Sequence, residues 1–124
     1  MSKKKILITT EDTEKVENDP FTRKIIQCLA RELAINNIKF SLEHPLPIEY
    51  KGVHLDCGYR IDVIVESEDV PIRQLILGLK SVEEIREIHK AQILTYMKLS
   101  NITTGLLINF NVKRLTDGIK RFKL

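Results

Sequence analysis

The run Thr104-Gly105-Leu106-Leu107-Ile108-Asn109-Phe110 constrains the fold more than any other part of this sequence. It is nearly continuously apolar instead of alternating, the mark of a strand buried on both faces. A chain with such a strand has to place other layers on either side of it. Two further segments qualify as sheet partners. In Tyr59 to Glu66, alternation sets Tyr59, Ile61, Val63 and Val65 on one face and Arg60, Asp62 and Ile64 on the other. In Arg73 to Lys80, Leu75, Leu77 and Leu79 oppose Gln74, Ile76, Gly78 and Lys80, and Ser67-Glu68-Asp69 is a polar turn between the two runs.

Helices are expected on both sides of this region. Asn18-Asp19-Pro20 reads as a helix start, with Asp19 as N-cap and Pro20 in the first turn. Phe21, Ile25, Leu29 and Leu33, flanked by Ile26 and Ala30, follow at helical spacing up to the stop at Asn36-Asn37, which predicts a helix over Pro20 to Ile35. A second helix is expected to open at Ser81, where Ser81 and Glu84 match a capping box, and to end near Ser100-Asn101. Ile38 to Leu42 is a short extended run, and Pro47 to Tyr50 reads as an edge strand. Lys51-Gly52 is a turn, Val53 to Leu55 begins a returning strand, and Ile119 to Leu124 follows the Asp117-Gly118 turn as a last strand. Ile6 to Val16 is compatible with a strand plus loop or with a helix. The sum is one small α/β domain with a mixed central sheet flanked by helices, over residues 20–124, after an N-terminal segment 1–19.

Length and composition fit that reading. At 124 residues, with 43% hydrophobic and 30% charged residues, the chain can bury a real core without staples. No apolar stretch reaches the roughly 18–20 residues needed to span a bilayer, and Ile6-Leu7-Ile8 is too short for a signal-peptide core. Cys28 and Cys57 lack metal-like spacing, which suits a reduced, intracellular and cytoplasmic protein. The net charge of +3 is unevenly spread. Glu11, Asp12, Glu14, Glu17 and Asp19 crowd the N-terminal segment, while Lys113, Arg114, Lys120, Arg121 and Lys123 face only Asp117 near the other end. A basic end of this kind can meet phosphates or simply be a solvated strand.

The residues able to carry chemistry sit on the two alternating runs. Arg60 and Asp62 share a face, as do Gly78 and Lys80, and pairing of the strands brings Asp62 and Lys80 together. A metal-assisted nuclease uses carboxylates to hold magnesium, which polarises phosphate and lowers the pKa of a bound water. A nearby lysine stabilises the developing negative charge. In the second helix Gln92 and Tyr96 lie one turn apart, on a face shared with Ile85 and Ile88. His44, His54 and His89 have no paired spacing with the cysteines and make a poor zinc set. Phe110 and Phe122 stand beside basic residues, where stacking on bases competes with an ordinary place in the core.

In combination these segments resemble a known family. Pro45-Leu46-Pro47-Ile48-Glu49-Tyr50-Lys51-Gly52-Val53, Gly58-Tyr59-Arg60-Ile61-Asp62, Leu79-Lys80-Ser81-Val82-Glu83, His89-Lys90-Ala91-Gln92-Ile93-Leu94-Thr95-Tyr96 and Gly105-Leu106-Leu107-Ile108-Asn109-Phe110 are similar in order to the GxxExxY proteins of the PD-(D/E)XK nuclease-like superfamily. The resemblance implies a restriction-endonuclease-like core, with Mg2+ as cofactor and nucleic acid as partner. It makes Asp62 the metal-binding aspartate, Lys80 the lysine of the Glu-x-Lys motif, and Gln92 and Tyr96 the helical Gln-x-x-x-Tyr pair. Arg60, Lys80 and His89 become candidate nucleic-acid contacts. Gly78 stands where the second acid is expected. In the name-giving motif Asp19, Thr22 and Ile25 fall at the glycine, glutamate and tyrosine. Glu83, Glu84 and Glu87 are the acids to which a migrated ligand would fall.

Three functions follow as expectations. The first is a catalytically impaired nuclease-like protein that binds nucleic acid or protein. The second is an active Mg-dependent nuclease with a migrated or partner-supplied acid. The third is a non-catalytic, homo-oligomeric interaction module paired through an exposed strand.

Overall fold

The computed structural model describes residues 20–55 and 59–124. The Ile6 to Val16 segment, the Asp19 cap, Cys57 and Gly58 lie outside the described residues. Helix α1 (Pro20–Ile35) leads into strands β1 (Lys39–Pro45), β2 (Ile48–Tyr50), β3 (Val53–Leu55), β4 (Arg60–Glu66) and β5 (Gln74–Lys80). Helix α2 (Glu87–Ser100), strand β6 (Thr104–Asn109), a 3-10 turn (Leu115–Gly118) and strand β7 (Ile119–Lys123) complete the order. Five strands form one sheet in the order β1-β4-β5-β6-β7, antiparallel except for the parallel β5–β6 pair. This is the mixed α/β sheet that the patterning predicts.

Among the described residues each face of the sheet carries one helix. Ile26 and Leu33 of α1 pack with Val63, Leu77 and Leu79, while Ile93, Tyr96 and Met97 of α2 pack with Ile64, Ile76 and Leu107. The alternation in β5 therefore separates the two cores: its leucines face α1, and Ile76 faces α2. Ile61, Ile76 and Leu79 are fully buried, each contributing roughly 1.5–3 kcal/mol relative to exposure. Close contact on the α2 side depends on Gly105, where a Cβ would stand 2.9 Å from Met97 Sδ and 3.1 Å from Ile93 Cδ1.

Four expectations need correction. The inward stripe of α1 is Thr22, Ile26, Leu29 and Leu33, leaving Phe21 exposed; the first half of the helix is offset by one residue while Leu29 and Leu33 stay as predicted, a roll of about 50° overall. Helix α2 starts at Glu87, not at Ser81. The Asn109 side chain holds residue 82 in the preceding segment by accepting from the Val82 N–H at 3.1 Å and donating to its carbonyl at 2.9 Å. With that later start Ile85 packs against the core from outside the helix, and Ile88 is exposed. The Pro47 to Tyr50 edge strand is absent from the main sheet: β2 pairs with β3 as a separate hairpin, closed by Lys51 and Gly52 at φ 49° and 78°. Finally, Tyr59 and Ile61 join the core cluster of Ile64 instead of that of Val63. The strict alternation predicted for this run fails near Asp62. Phe110 and Phe122 both pack against core clusters.

Candidate active site

The irregularity at Asp62 has a physical origin. The β4–β5 ladder runs from Glu66–Gln74 to Val63–Leu77 and stops before Asp62 would meet Gly78. In place of the next rung, the Leu79 N–H donates to Asp62 Oδ2 at 2.7 Å. On the other side of β4 the pairs Leu42–Val63 and His44–Ile61 leave Glu43 opposite Asp62, with a left-handed φ of 47°. Burial pushes the Asp62 carboxyl above its ordinary range. The Leu79 N–H and the Lys80 cation pull it down, and the negative charge of Glu43 adds to the upward push.

Lys80 ends β5 and points into the sheet face that α2 covers. The residue is almost wholly buried (4% exposed), and its ammonium donates to Gln92 Oε1 at 2.6 Å. Gln92 Nε2 in turn donates to the Tyr96 hydroxyl at 3.3 Å. The i, i+4 spacing of Gln92 and Tyr96 stacks them on the buried side of α2. Tyr96 is braced edge-on by Tyr59, with ring centroids 5.7 Å apart. The buried amide thus has the partners that such a group requires.

These elements enclose a narrow cleft lined by Arg60, Asp62, Gly78, Lys80, Gln92 and Tyr96. Its free volume is about 10 Å³, room for about one water molecule. The candidate residues are therefore brought to one place, apart from His89, whose Nδ1 accepts the Arg86 N–H at 2.8 Å at the start of α2. Arg60 lines the cleft with its Nη1 donating to the Tyr59 carbonyl at 2.9 Å. His44 and His54 are exposed on β1 and β3.

The donor set does not suit a tightly held magnesium. Asp62 is the carboxylate lining the cleft, it already accepts a backbone N–H, and a buried ammonium shares the space. Gly78 offers no ligand, Glu83 and Glu84 are exposed ahead of α2, and the described residues contain no group of three acidic, His or Cys ligands. Magnesium binding needs near-ideal oxygen geometry, with carboxylates as anchors. Gly78 is not held as glycine by its backbone, because its φ lies outside the left-handed range. A Cβ there would meet Leu107 Cδ1 at 3.4 Å and Ile93 Cδ1 at 3.5 Å, ordinary contact distances.

Two residues of this region were not singled out from the sequence. Asn109, nearly buried at 4% exposed, ties the end of β6 to the loop after Lys80; a polar residue closing an apolar strand was its only sequence signal. Glu43 carries no sequence signal, since its relation to Asp62 depends on strand register.

Comparison with known proteins agrees with this architecture. The crystal structure of SSO0001 superposes with a TM-score of 0.58 at 18% identity, covering 83% of this chain and 50% of that one. At that identity the likeness is one of fold, and the chain spans half the length of that protein. No curated protein matches the sequence. The sequence model of the PD-(D/E)XK nuclease superfamily matches residues 23–122, which takes in most of α1, all of α2 and the whole cleft, and the chain belongs to that superfamily.

Proposed function

We propose that this is a nuclease-like protein of the GxxExxY type with a degenerate metal site, catalytically impaired and working by binding nucleic acid or protein inside the cytoplasm. One observation carries the reading. The two chemical groups that remain, Asp62 and Lys80, are both engaged by protein partners, Leu79 N–H and Gln92, while the neighbouring position is Gly78. Catalytic groups bound in this way act as structural ties across the sheet and from sheet to helix. No step of hydrolysis is assigned to them.

Calorimetric titration with Mg2+ and Mn2+ tests the reading, and weak or undetectable binding is expected. Tight binding that Asp62→Ala abolishes would overturn it. Gly78→Glu is the reverse experiment: it adds a carboxylate on a Cβ that meets ordinary contacts, and a gain of Mn2+ affinity of tenfold or more, about 1.4 kcal/mol, is expected.

A second reading is favoured by one observation, the reach of the Glu43 charge to Asp62. In it the protein is an active metal-dependent nuclease whose second acid comes from another strand or from a partner subunit. It requires oligonucleotide cleavage lost in both Asp62→Ala and Glu43→Gln, or, for a partner-supplied acid, cleavage that vanishes on dilution to the monomer. No cleavage across several metals and substrates eliminates it.

A further inference from the structure

The two edges of the sheet differ in charge. On β1, the outermost strand on one side, Lys39 is paired with Glu66 at 3.3 Å, and Glu43 offsets the strand's own cation. On β7, the outermost strand on the other side, Lys120, Arg121 and Lys123 are exposed and no acidic residue follows Asp117. Asp117 itself is paired with Arg114 at 3.5 Å. Lys113, Lys120, Arg121 and Lys123 form no ion pair with the described residues.

Register shows how the cations are presented. Arg121 and Lys123 lie opposite Leu106 and Thr104, and Lys120 lies opposite Leu107. Cross-strand partners share a face, so Arg121 and Lys123 project on one side of the edge and Lys120 on the other. Between them runs the outer edge of β7, which no strand among the described residues covers. Lysines on an edge strand guard against strand addition, yet β1 is guarded with balanced charge. Antiparallel addition of a second β7 would set cation against cation, a destabilising arrangement. That argues against pairing of two copies through this edge. The acids Glu83 and Glu84 belong to the loop that Asn109 holds at Val82, and Glu87 opens α2 with its carboxylate on Lys90.

We propose that the outer edge of β7 is a docking surface for the phosphate backbone of a nucleic acid, contacted by Lys120, Arg121 and Lys123, with Lys113 in the loop that leads to it. The inference rests on the nucleic-acid branch of the proposed function, and it moves the binding surface away from the cleft. Such contact is independent of base sequence and depends steeply on salt, because each neutralised phosphate releases counterions.

The test is fluorescence anisotropy of the full chain with labelled duplex and single-stranded oligonucleotides between about 50 and 200 mM salt. Lys120→Gln/Arg121→Gln/Lys123→Gln is expected to weaken duplex binding at least tenfold and to reduce the log–log salt slope by about 2.7. Lys123→Gln alone should reduce the slope by about 0.9, and Lys39→Gln on the opposite edge should change nothing. A thermal melt of each variant separates loss of contact from loss of fold. If the triple variant binds like the wild type while Lys80→Ala loses binding, this inference falls and the proposed function stands. If the wild type binds neither oligonucleotides nor heparin, this inference and its nucleic-acid branch fall together. A concentration-dependent mass in light scattering that the triple variant abolishes would make β7 a self-association edge, and overturns the proposal.

Discussion

Replacing Asp62 by alanine and by asparagine separates two roles for its carboxylate. The Leu79 N–H has Asp62 Oδ2 as its acceptor, at the point where the ladder between β4 and β5 has ended. Alanine leaves that N–H unsatisfied beside the fully buried Leu79 side chain, a loss of about 1–3 kcal/mol. Asparagine keeps an acceptor oxygen in the same place and removes the negative charge that burial disfavours. Unfolding entropy of about 2.1 cal/mol/K per residue, over 124 residues, makes each kcal/mol worth about 4 °C. Asp62→Ala is therefore expected to lower Tm by about 4–12 °C, and Asp62→Asn to leave Tm at pH 7 within about 2 °C of the wild type or above it. Calorimetry gives the shifts, and amide exchange at Leu79 should accelerate only in the alanine variant. An alanine variant as stable as the wild type would refute the structural role of this bond. So would an asparagine variant as damaged as the alanine one.

Three further outcomes are expected. The folded-state pKa of Asp62 lies above its ordinary value, so between that value and the folded one the native state holds the extra proton; this group's contribution to stability falls as pH rises through the window. Urea titrations over a pH series rising from the ordinary carboxylate range should show that contribution disappear in Asp62→Asn, and an unchanged pH profile would contradict it. Gly118→Ala should cost more than about 2 kcal/mol, because a Cβ there would overlap the Asn109 carbonyl oxygen and crowd Val112; a melt within about 2 °C of the wild type would refute that contact. Asn109→Ala should destabilise by about 1–3 kcal/mol and free the loop at Val82, detected as faster amide exchange there.

Much of the fold was readable because its signals are local. The β5 leucines alternate cleanly and do face α1, and α1 keeps its predicted bounds because Pro20 and Asn36-Asn37 punctuate it. The start of α2 was not readable, since Ser81 and Glu84 form an acceptable capping pattern and only Asn109, distant in sequence, holds that segment otherwise. The face of α1 was misread because Thr22, a polar residue, takes an inward position that Phe21 was expected to fill. At the candidate site, strand periodicity set Asp62 on one run and Gly78 and Lys80 on the next, and the family resemblance supplied Gln92 and Tyr96; the structure lines one cleft with all five. Their partners were not readable. The Leu79 N–H becomes available to Asp62 only where the ladder stops, and Glu43 meets Asp62 only through the register of β1.

The space above Gly78 bears on how this chain can change. Every glycine codon is one base substitution away from a codon for aspartate or glutamate, and the strand at residue 78 accepts a Cβ without backbone strain. An acid at this position is thus reachable in a single mutational step, and its first side-chain carbon meets only ordinary contacts. The cleft keeps Asp62, Lys80, Gln92 and Tyr96 in place around that position. A population carrying this gene would repeatedly sample the acidic variant, so its persistence as glycine would depend on how the cleft takes the added carboxylate and on what the altered protein does to the cell, not on the backbone of the strand.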